Sequence, residues 1–520
     1  MRPRDLLAAI SLANLVYLRC WAEILTLNRR DYYWMKSPPT PAHFIALILN
    51  VALLALLIAG MLPAWHRRKG AAFRVAPVFG LLILATMVNS LQTLIRNPGD
   101  SLFLRFVEQR APAIGVALAM ASVVALIFGG THAFRPAYFV LLLLSPLPVF
   151  CAAQACYRIF TYDPSLTADG PLAARLPGRP AGSPRVVWIV FDEWDERLTF
   201  SERYPGVRLP EIDRLRAASF YASDAIRAHS NTDWAMPALT TGIAVDNVFA
   251  GGPAELMVLP EGSRQWIPWS RQPNVFDKAR DLGYNTAVVG WAIPYCRVLK
   301  SSLTACWWWS GSDQYNSTGT SVFEIMLHQP RSLLENVSRS PFGQSLSTHS
   351  HERVYESVLA QSLEVVSDPG YGLTMLHLPI PHPPYFYNAA TGANDRGDTP
   401  VFGIWKQTQQ GYLDALVLVD KTLARLRGAM ERAGVWDGTT VICSADHPYR
   451  HREKLDGKPG SVNVPLLIKA AGQNEAIRYD TPFSALLTQK LILAFLGGEL
   501  SRAGQIPAWL DTHRAEYPVR

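Results

Sequence analysis

Cysteine is scarce in this chain: six in 520 residues, too few for a fold built on disulfides. Charge is scarce too. Only 18% of the residues are Asp, Glu, Lys or Arg against 49% hydrophobic ones, the reverse of the balance that keeps a chain disordered. No stretch is low in complexity, no internal repeat is evident and no nucleic-acid-binding motif occurs. Acidic residues are nearly missing from the N-terminal third. Residues 1–160 hold 5 Asp/Glu and 15 Lys/Arg, and the remainder holds 37 and 34. The formal net charge of +7 therefore belongs to the N-terminal third, and the rest is slightly acidic. That split argues against a nucleic-acid partner. The length argues for two or more structural units.

What fills the N-terminal third is apolar. A bilayer core needs roughly 20 apolar residues in a helix. Five stretches approach that length: Leu6–Leu27, Phe44–Trp65, Val75–Ile95, Pro112–Gly130 and Ala137–Tyr157. Residues 1–160 are therefore expected to form an all-α transmembrane domain of about five helices. Arg19 and Glu23 in the first stretch are four apart, so one helix face lets them neutralise each other. A cleaved signal peptide is the alternative for that stretch, but no small-residue cleavage site follows its long apolar run. The short 64–74 loop carries Arg67, Arg68, Lys69 and Arg74 without an acid, which assigns it to the cytoplasm. Five crossings then leave everything after about residue 158 outside. Residues 161–184, rich in Pro, Gly and Ala, read as a linker.

From residue 185 the pattern changes. Short apolar runs recur at 185–191, 286–290, 373–378, 439–444 and 464–468, with helical patterns between them at about 209–219, 273–282, 351–366 and 408–433. Such alternation predicts a C-terminal α/β domain with a mostly parallel central sheet, over residues 185–500, followed by a tail at 501–520. Active sites in such sheets collect at the carboxyl ends of strands. There the chain places Asp192-Glu193, after WIVF, and Asp446-His447, after CSA. Two carboxylate-bearing pairs and an imidazole suit a divalent metal such as Zn²⁺ or Mn²⁺. Each pair alone is weak, since Asp at a strand end is more often a cap or a turn residue.

A third element is the run Ser230-Asn231-Thr232-Asp233-Trp234-Ala235-Met236-Pro237-Ala238-Leu239-Thr240-Thr241-Gly242. It resembles the nucleophile region of the alkaline phosphatase/sulfatase superfamily, in which a helix ending in L-T-G follows the nucleophile. Ten residues before Gly242 that position falls on Thr232, with Ser230 the runner-up. The superfamily's Asp-Asp after its first strand matches Asp192 and Glu193. Its S-D-H matches Ser444-Ala445-Asp446-His447 with one inserted Ala. Val464-Pro465-Leu466-Leu467-Ile468-Lys469 and Leu282-Gly283-Tyr284 resemble two further motifs, and the resemblance covers roughly 185–500. The chain departs from standard sulfatases in having no Cys-x-Pro-x-Arg, hence no formylglycine precursor, and in placing Pro448 where Gly commonly follows the D-H.

A five-helix anchor, an extracytoplasmic domain and a Thr nucleophile are together similar to lipoteichoic acid synthases and phosphoethanolamine transferases. The resemblance implies one Zn²⁺ or Mn²⁺ ion held by Asp192 (or Glu193), Thr232, Asp446 and His447, in an inner-membrane protein with a periplasmic catalytic domain. It implies a phospholipid donor and an envelope glycan or lipid acceptor. Metal coordination lowers the pKa of a hydroxyl that is otherwise a poor nucleophile. A hydrolase of the same fold, acting on phosphate or sulfate esters, is one alternative. A non-catalytic membrane scaffold is another.

His382, in the rigid run Pro379-Ile380-Pro381-His382-Pro383-Pro384, is a candidate for phosphate contact or proton transfer, and His377 reads as structural. His451, among Arg450, Arg452 and Lys454, is a candidate acid for the leaving alcohol or part of a basic loop. Cys296 and Cys306 bracket a nine-residue loop and can form a disulfide in an oxidising compartment. Two free thiols are the alternative.

Overall fold

A computed structural model describes residues 3–25, 27, 30–36, 39–67, 138–166, 169–178, 180, 182–311, 321–337, 346–394, 409–453 and 457–518. The expected helices over Val75–Ile95 and Pro112–Gly130, and most of the 64–74 loop, lie outside these residues.

The N-terminal helices are α1 (Pro3–Val16), α2 (Leu18–Leu25), α3 (Pro41–Arg67) and α4 (Pro146–Phe160). Among the described residues, two segments are long and apolar enough to cross a membrane: Pro41–Gly60 and Tyr138–Phe160. The first apolar stretch divides at Tyr17 into α1 and α2, although Tyr17 N–H still reaches Ala13 O and Trp21 N–H reaches Tyr17 O. The side chains of Arg19 and Glu23 lie outside the described set. Helix α3 buries Phe44, Leu47, Val51, Ala55 and Ile58 against its neighbours. Its opposite face exposes Leu49, Leu53, Leu56 and Leu57 at helical spacing. A helix apolar on both faces is the pattern of a buried core helix or of a membrane span.

The α/β unit is built on a nine-stranded sheet in the order β11-β2-β10-β9-β1-β8-β6-β7, with β12 beside β2. The strands are β1 (Val186–Asp192), β2 (Phe220–Ile226), β6 (Thr286–Trp291), β7 (Ala305–Trp309), β8 (Leu373–Pro381), β9 (Thr440–Ala445), β10 (Asn463–Lys469), β11 (Ile477–Tyr479) and β12 (Phe483–Ser484). A separate antiparallel sheet joins β3 (Val245–Gly252), β4 (Glu255–Pro260) and β5 (Ile267–Pro268). Strand β10 runs antiparallel to both its neighbours, and every other pairing in the large sheet is parallel. Strands β1, β8 and β9 are buried along their whole length, as central strands covered on both faces must be. The covering helices include α5 (Pro210–Ala217), α6 (Thr232–Thr241), α7 (Val275–Asp281), α9 (Leu346–Ser367), α10 (Gln409–Arg432), α11 (Thr488–Gly497) and α12 (Ile506–His513), while α8 (Val322–Val337) packs against α3.

Two boundaries differ from expectation. The 161–184 segment is strapped to the α/β unit: Ala173 N–H donates to Leu303 O at 2.9 Å, and Leu176 N–H donates to Asn285 Oδ1 at 2.8 Å. Residues 501–520 are more than a tail, because Ile506 and Leu510 on α12 are fully buried in the main core. Apolar residues at helical spacing carry that segment back onto the sheet.

The short loop between α2 and α3 is also part of the α/β core. A 3₁₀ turn, Asp31–Trp34, buries Tyr33 completely there. Arg297 clamps the loop by donating to Tyr32 O (3.2 Å), Met35 O (3.0 Å) and Lys36 O (3.0 Å). Cys296, next to Arg297, is disulfide-bonded to Cys306 with a Cα–Cα distance of 5.4 Å. Cys296→Ser/Cys306→Ser protein is expected to lose about 2–3 kcal/mol of stability, as closing a loop of this size implies. Thermal unfolding of the detergent-solubilised protein, with and without reductant, checks this. An unchanged midpoint would contradict it.

Candidate active site

Thr232 is the first residue of α6, and its hydroxyl stands at the helix N-terminus, where unpaired N–H groups and the helix dipole favour an anion. Asn231 before it is extended, and Gly242 ends the helix in a left-handed conformation at φ 70°. The Thr232 hydroxyl donates to Asp446 Oδ2 at 2.7 Å and lies 3.3 Å from His447 Nε2.

The sheet explains why these groups meet. Strand β1 pairs in parallel with β8 and β9, with Val190 opposite both His377 and Ser444. Side chains two residues apart share a face. Asp192 and Asp446, each two residues beyond that row, therefore stand on the face that carries His377. Asp192, His377 and Asp446 offer ligand atoms that all lie within 4.8 Å of one another, and all three are buried. His447 Nε2 approaches Asp192 Oδ1 to 3.6 Å and Asp446 Oδ2 to 3.4 Å.

Two imidazoles are turned toward this cluster by their other nitrogen. His447 Nδ1 lies 3.0 Å from Pro448 O, a contact only an N–H can make favourably, so Nε2 presents its lone pair. His377 Nδ1 meets the Tyr295 hydroxyl at 2.8 Å. Asp192 Oδ1 and His377 Nε2 are buried and accept or donate no hydrogen bond. Buried polar atoms without a partner are costly. Orphaned carboxylate and imidazole atoms gathered at one point fit a divalent cation, and Asp192, His377 and Asp446 would hold it, with His447 and Thr232 adjacent.

The electrostatics agree. Burial pushes the Asp192 carboxyl well above the usual range, and the charges of Asp446 and Glu193 push it further. Burial also acts on Asp446, but the imidazoles of His447 and His377 and the Thr232 hydrogen bond outweigh it and hold this carboxyl below its ordinary value. Asp233, beside the nucleophile position, is pushed up to about 7 by burial and by Asp446. Burial lowers His377 to about 4.

Glu193 takes a different course from Asp192. Its φ of 64° is left-handed, a strained conformation that the surroundings over-determine. Its N–H donates to Asp446 Oδ1 at 3.2 Å, and its carbonyl accepts from the Tyr412 hydroxyl at 2.9 Å. Its Oε1 accepts from Arg450 Nε at 2.6 Å, while Oε2 is buried with no hydrogen-bond partner, as Asp192 Oδ1 is. Arg450 also donates to Asn231 Oδ1 at 3.1 Å and lies 3.3 Å from His382 Nε2. His382 thus sits at the rim of the cluster, edge-on to Trp291 with ring centroids 5.2 Å apart. The His451 ring stands edge-on to Tyr449, with centroids 6.1 Å apart.

Three residues at or near the candidate site escaped sequence reasoning. His377 reads as structural because it lies mid-strand. The available signal was a lone imidazole inside a fully apolar strand beside the strand that ends in Asp192. Arg450 was hidden in a basic run, and nothing local announces its contacts to Glu193, Asn231 and His382. Tyr33 comes from the loop ahead of α3. Its hydroxyl is buried without a partner, and burial together with Asp233 raises its pKa far above normal.

A mostly parallel sheet with a buried acid–imidazole cluster and a helix-borne hydroxyl at its strand ends is compatible with a divalent-metal site. The sulfatase family model matches residues 184–490, more than half of the chain, and the chain belongs to that family and so to the alkaline phosphatase/sulfatase superfamily of enzymes. The "Multifunctional alkaline phosphatase superfamily protein PehA" of Trinickia caryophylli is 34% identical over 119 residues, 22% of this chain and 23% of that protein. The match thus spans less than a quarter of that relative. Among solved structures, Ps i-CgsB in complex with k-i-k-neocarrahexaose aligns at 17% identity and a TM-score of 0.43, covering 63% of this chain and 76% of its own. The phosphonate monoester hydrolase of Agrobacterium radiobacter aligns at 15% and 0.41, covering 60% and 74%. The family assignment rests on the family match.

Proposed function

We propose that this protein is a membrane-anchored, metal-dependent transferase. It moves a phosphoethanolamine or phosphoglycerol group from a phospholipid to an envelope glycan or lipid, with Thr232 as the covalent relay. The observation that carries the reading is the Thr232 hydroxyl, placed on a helix N-terminus and hydrogen-bonded to Asp446 Oδ2 at 2.7 Å beside the buried Asp192–His377–Asp446 cluster.

In this reading the Thr232 Oγ1–H proton points along its hydrogen bond to Asp446 Oδ2, with His447 Nε2 as the neighbouring acceptor. Oγ1 gives that proton to this acid–imidazole pair as it bonds to phosphorus, the bond from phosphorus to the glycerol oxygen of the donor breaks, and the proton passes to that oxygen so that diacylglycerol leaves as the alcohol. An acceptor hydroxyl next attacks the phosphothreonine, and its proton returns by the same groups to Oγ1 as the Oγ1–phosphorus bond breaks. A divalent cation held by Asp192, His377 and Asp446 would supply positive charge favouring the ionised hydroxyl and the phosphoryl oxygens. Arg450 and the N-terminus of α6 orient the anionic group. Two helices long and apolar enough to cross a membrane support a lipid donor. The site faces the envelope side of an inner membrane, with the anchor in residues 1–160 and catalysis in 185–500.

A hydrolase is the second reading. Thr232 is half-exposed, which gives water a route to the same intermediate. Purified protein in vesicles with a labelled phospholipid separates the two. Diacylglycerol release that requires an added acceptor and puts the label on it supports transfer. Release without acceptor, yielding a free head-group phosphate, supports hydrolysis.

Arg450→Ala removes the cation that pairs with a buried Glu193 carboxylate and faces the rim of the site. Losing charge-assisted hydrogen bonds of this kind is expected to lower kcat/KM by about 10- to 100-fold. Steady-state kinetics on a soluble phosphodiester check it. Unchanged kcat/KM would remove Arg450 from the site.

A further inference from the structure

Helix α3 is apolar along most of its length but buries two polar side chains, His43 and Asn50, each 5% exposed. An amide in an apolar helix needs a partner. Asn50 finds it on α8, which lies between β7 and α9 in the chain. Its Nδ2 donates to Met326 O at 3.0 Å and to Gln329 Oε1 at 2.9 Å. Gln329 Nε2 in turn donates to His43 O at 3.1 Å. A helix from the catalytic unit is thus stitched to the candidate membrane-spanning helix. Asn50 is nine residues into α3, in the half of the helix nearer its N-terminus.

Among the described side chains of α8, residues 322–330, one face is unusual for a domain in water. Ile325 is buried, but Phe323 is 69% and Leu327 60% exposed, one turn apart on a single face. Glu324 and His328 are exposed on the next row. An apolar face beside a polar one, on a helix fastened to a membrane-spanning segment, is the arrangement of a helix lying in the membrane interface.

We propose that α8 lies in the outer leaflet with Phe323 and Leu327 among the acyl chains. Its partner is the phospholipid of the bilayer that holds α3. This rests on α3 crossing the membrane. It deepens the functional reading, because it holds the catalytic unit against the bilayer surface. A lipid donor then reaches the site by lateral diffusion, while a soluble ester gains nothing from the contact.

The test uses the full chain in phospholipid vesicles, with Cys156, the exposed free cysteine, changed to Ser. Nitroxide labels are placed through Phe323→Cys, Leu327→Cys, Glu324→Cys and, on the exposed face of α3, Leu53→Cys. Labels at 323 and 327 are expected to be oxygen-accessible and shielded from a water-soluble nickel chelate, as at 53, with 324 chelate-accessible. Chelate access at 323 and 327 but not at 53 would overturn the proposal and leave the anchor intact. Chelate access at 53 as well would overturn the anchor reading itself. Labels at 323 and 327 shielded from both reagents would mean a protein cover, such as a second copy, and would also overturn the proposal. Independently, Phe323→Glu/Leu327→Glu is expected to slow turnover of vesicle phospholipid at least 10-fold while a soluble aryl phosphodiester is processed as before. Equal loss on both substrates, or none on the lipid, would contradict it.

Discussion

Thr232→Ala protein is expected to lose turnover by roughly 10⁴-fold or more, the scale on which removing a covalent nucleophile acts. The substitution takes away one hydroxyl and little else. Thr232 is half-exposed at the start of α6, its hydroxyl bonds Asp446 and His447 rather than the backbone of its helix, and Ala is a better helix former. The fold, followed by circular dichroism and thermal unfolding, is therefore expected to stay intact. Thr232→Ser retains an oxygen in reach of Asp446 Oδ2 and is expected to keep measurable activity. If Thr232→Ala turned over a phosphodiester at the wild-type rate, another atom would be the nucleophile. Ser230→Ala would be the next variant to measure.

Asp446→Asn is expected to have an effect of similar size by a different route. Asp446 Oδ2 receives the Thr232 hydroxyl, and Oδ1 receives the N–H groups of Glu193 and His447 at 3.2 and 2.8 Å. The same carboxylate is one corner of the group that could hold a cation. An amide keeps one accepting oxygen and turns an NH₂ toward either donors or the cluster. It also removes one negative charge from the cation site. Turnover is expected to fall by at least about 10³-fold, since removing one member of a set that acts as a unit costs nearly as much as removing the set. Metal content by mass spectrometry of the purified protein is expected to fall to background. Wild-type metal content with lost turnover would restrict Asp446 to the proton of Thr232. Wild-type turnover would exclude it from the site.

The parts of the fold that were legible in the sequence share one property: their environment is uniform. Strands β1, β6, β8, β9 and β10 are apolar runs because both their faces are buried, and the runs expected at 185–191, 286–290, 373–378, 439–444 and 464–468 coincide with them. Strand β2 was not legible because its half-buried YASDA pattern mixes small, polar and aromatic residues. Strand β7 is dominated by Trp307, Trp308 and Trp309, which read equally well as an interfacial cluster. In the fold Trp308 is buried, with the Arg297 guanidinium 5.0 Å from its ring.

The site shows the same division. Asp192, Thr232, Asp446 and His447 were visible because they follow strands or begin a helix in a recognisable order. His377 was not, because its role depends on the register of β8 against β1. Glu193 looks equivalent to Asp192 in sequence, but only the fold shows its left-handed φ and the pairing of its Oε1 with Arg450. The clamp of Arg297 on residues 32–36 spans more than 260 positions, beyond any local pattern.

The central claim is that Thr232 carries the phosphoryl group. Intact-mass analysis of the purified protein after incubation with phospholipid in the absence of acceptor tests it most directly, with Thr232→Ala alongside. The expected result is an added mass equal to one head-group phosphate on the wild-type chain, located at Thr232 by fragmentation and missing from the variant. An adduct on another residue, or diacylglycerol release by the wild type with no adduct and undiminished turnover by Thr232→Ala, would contradict it.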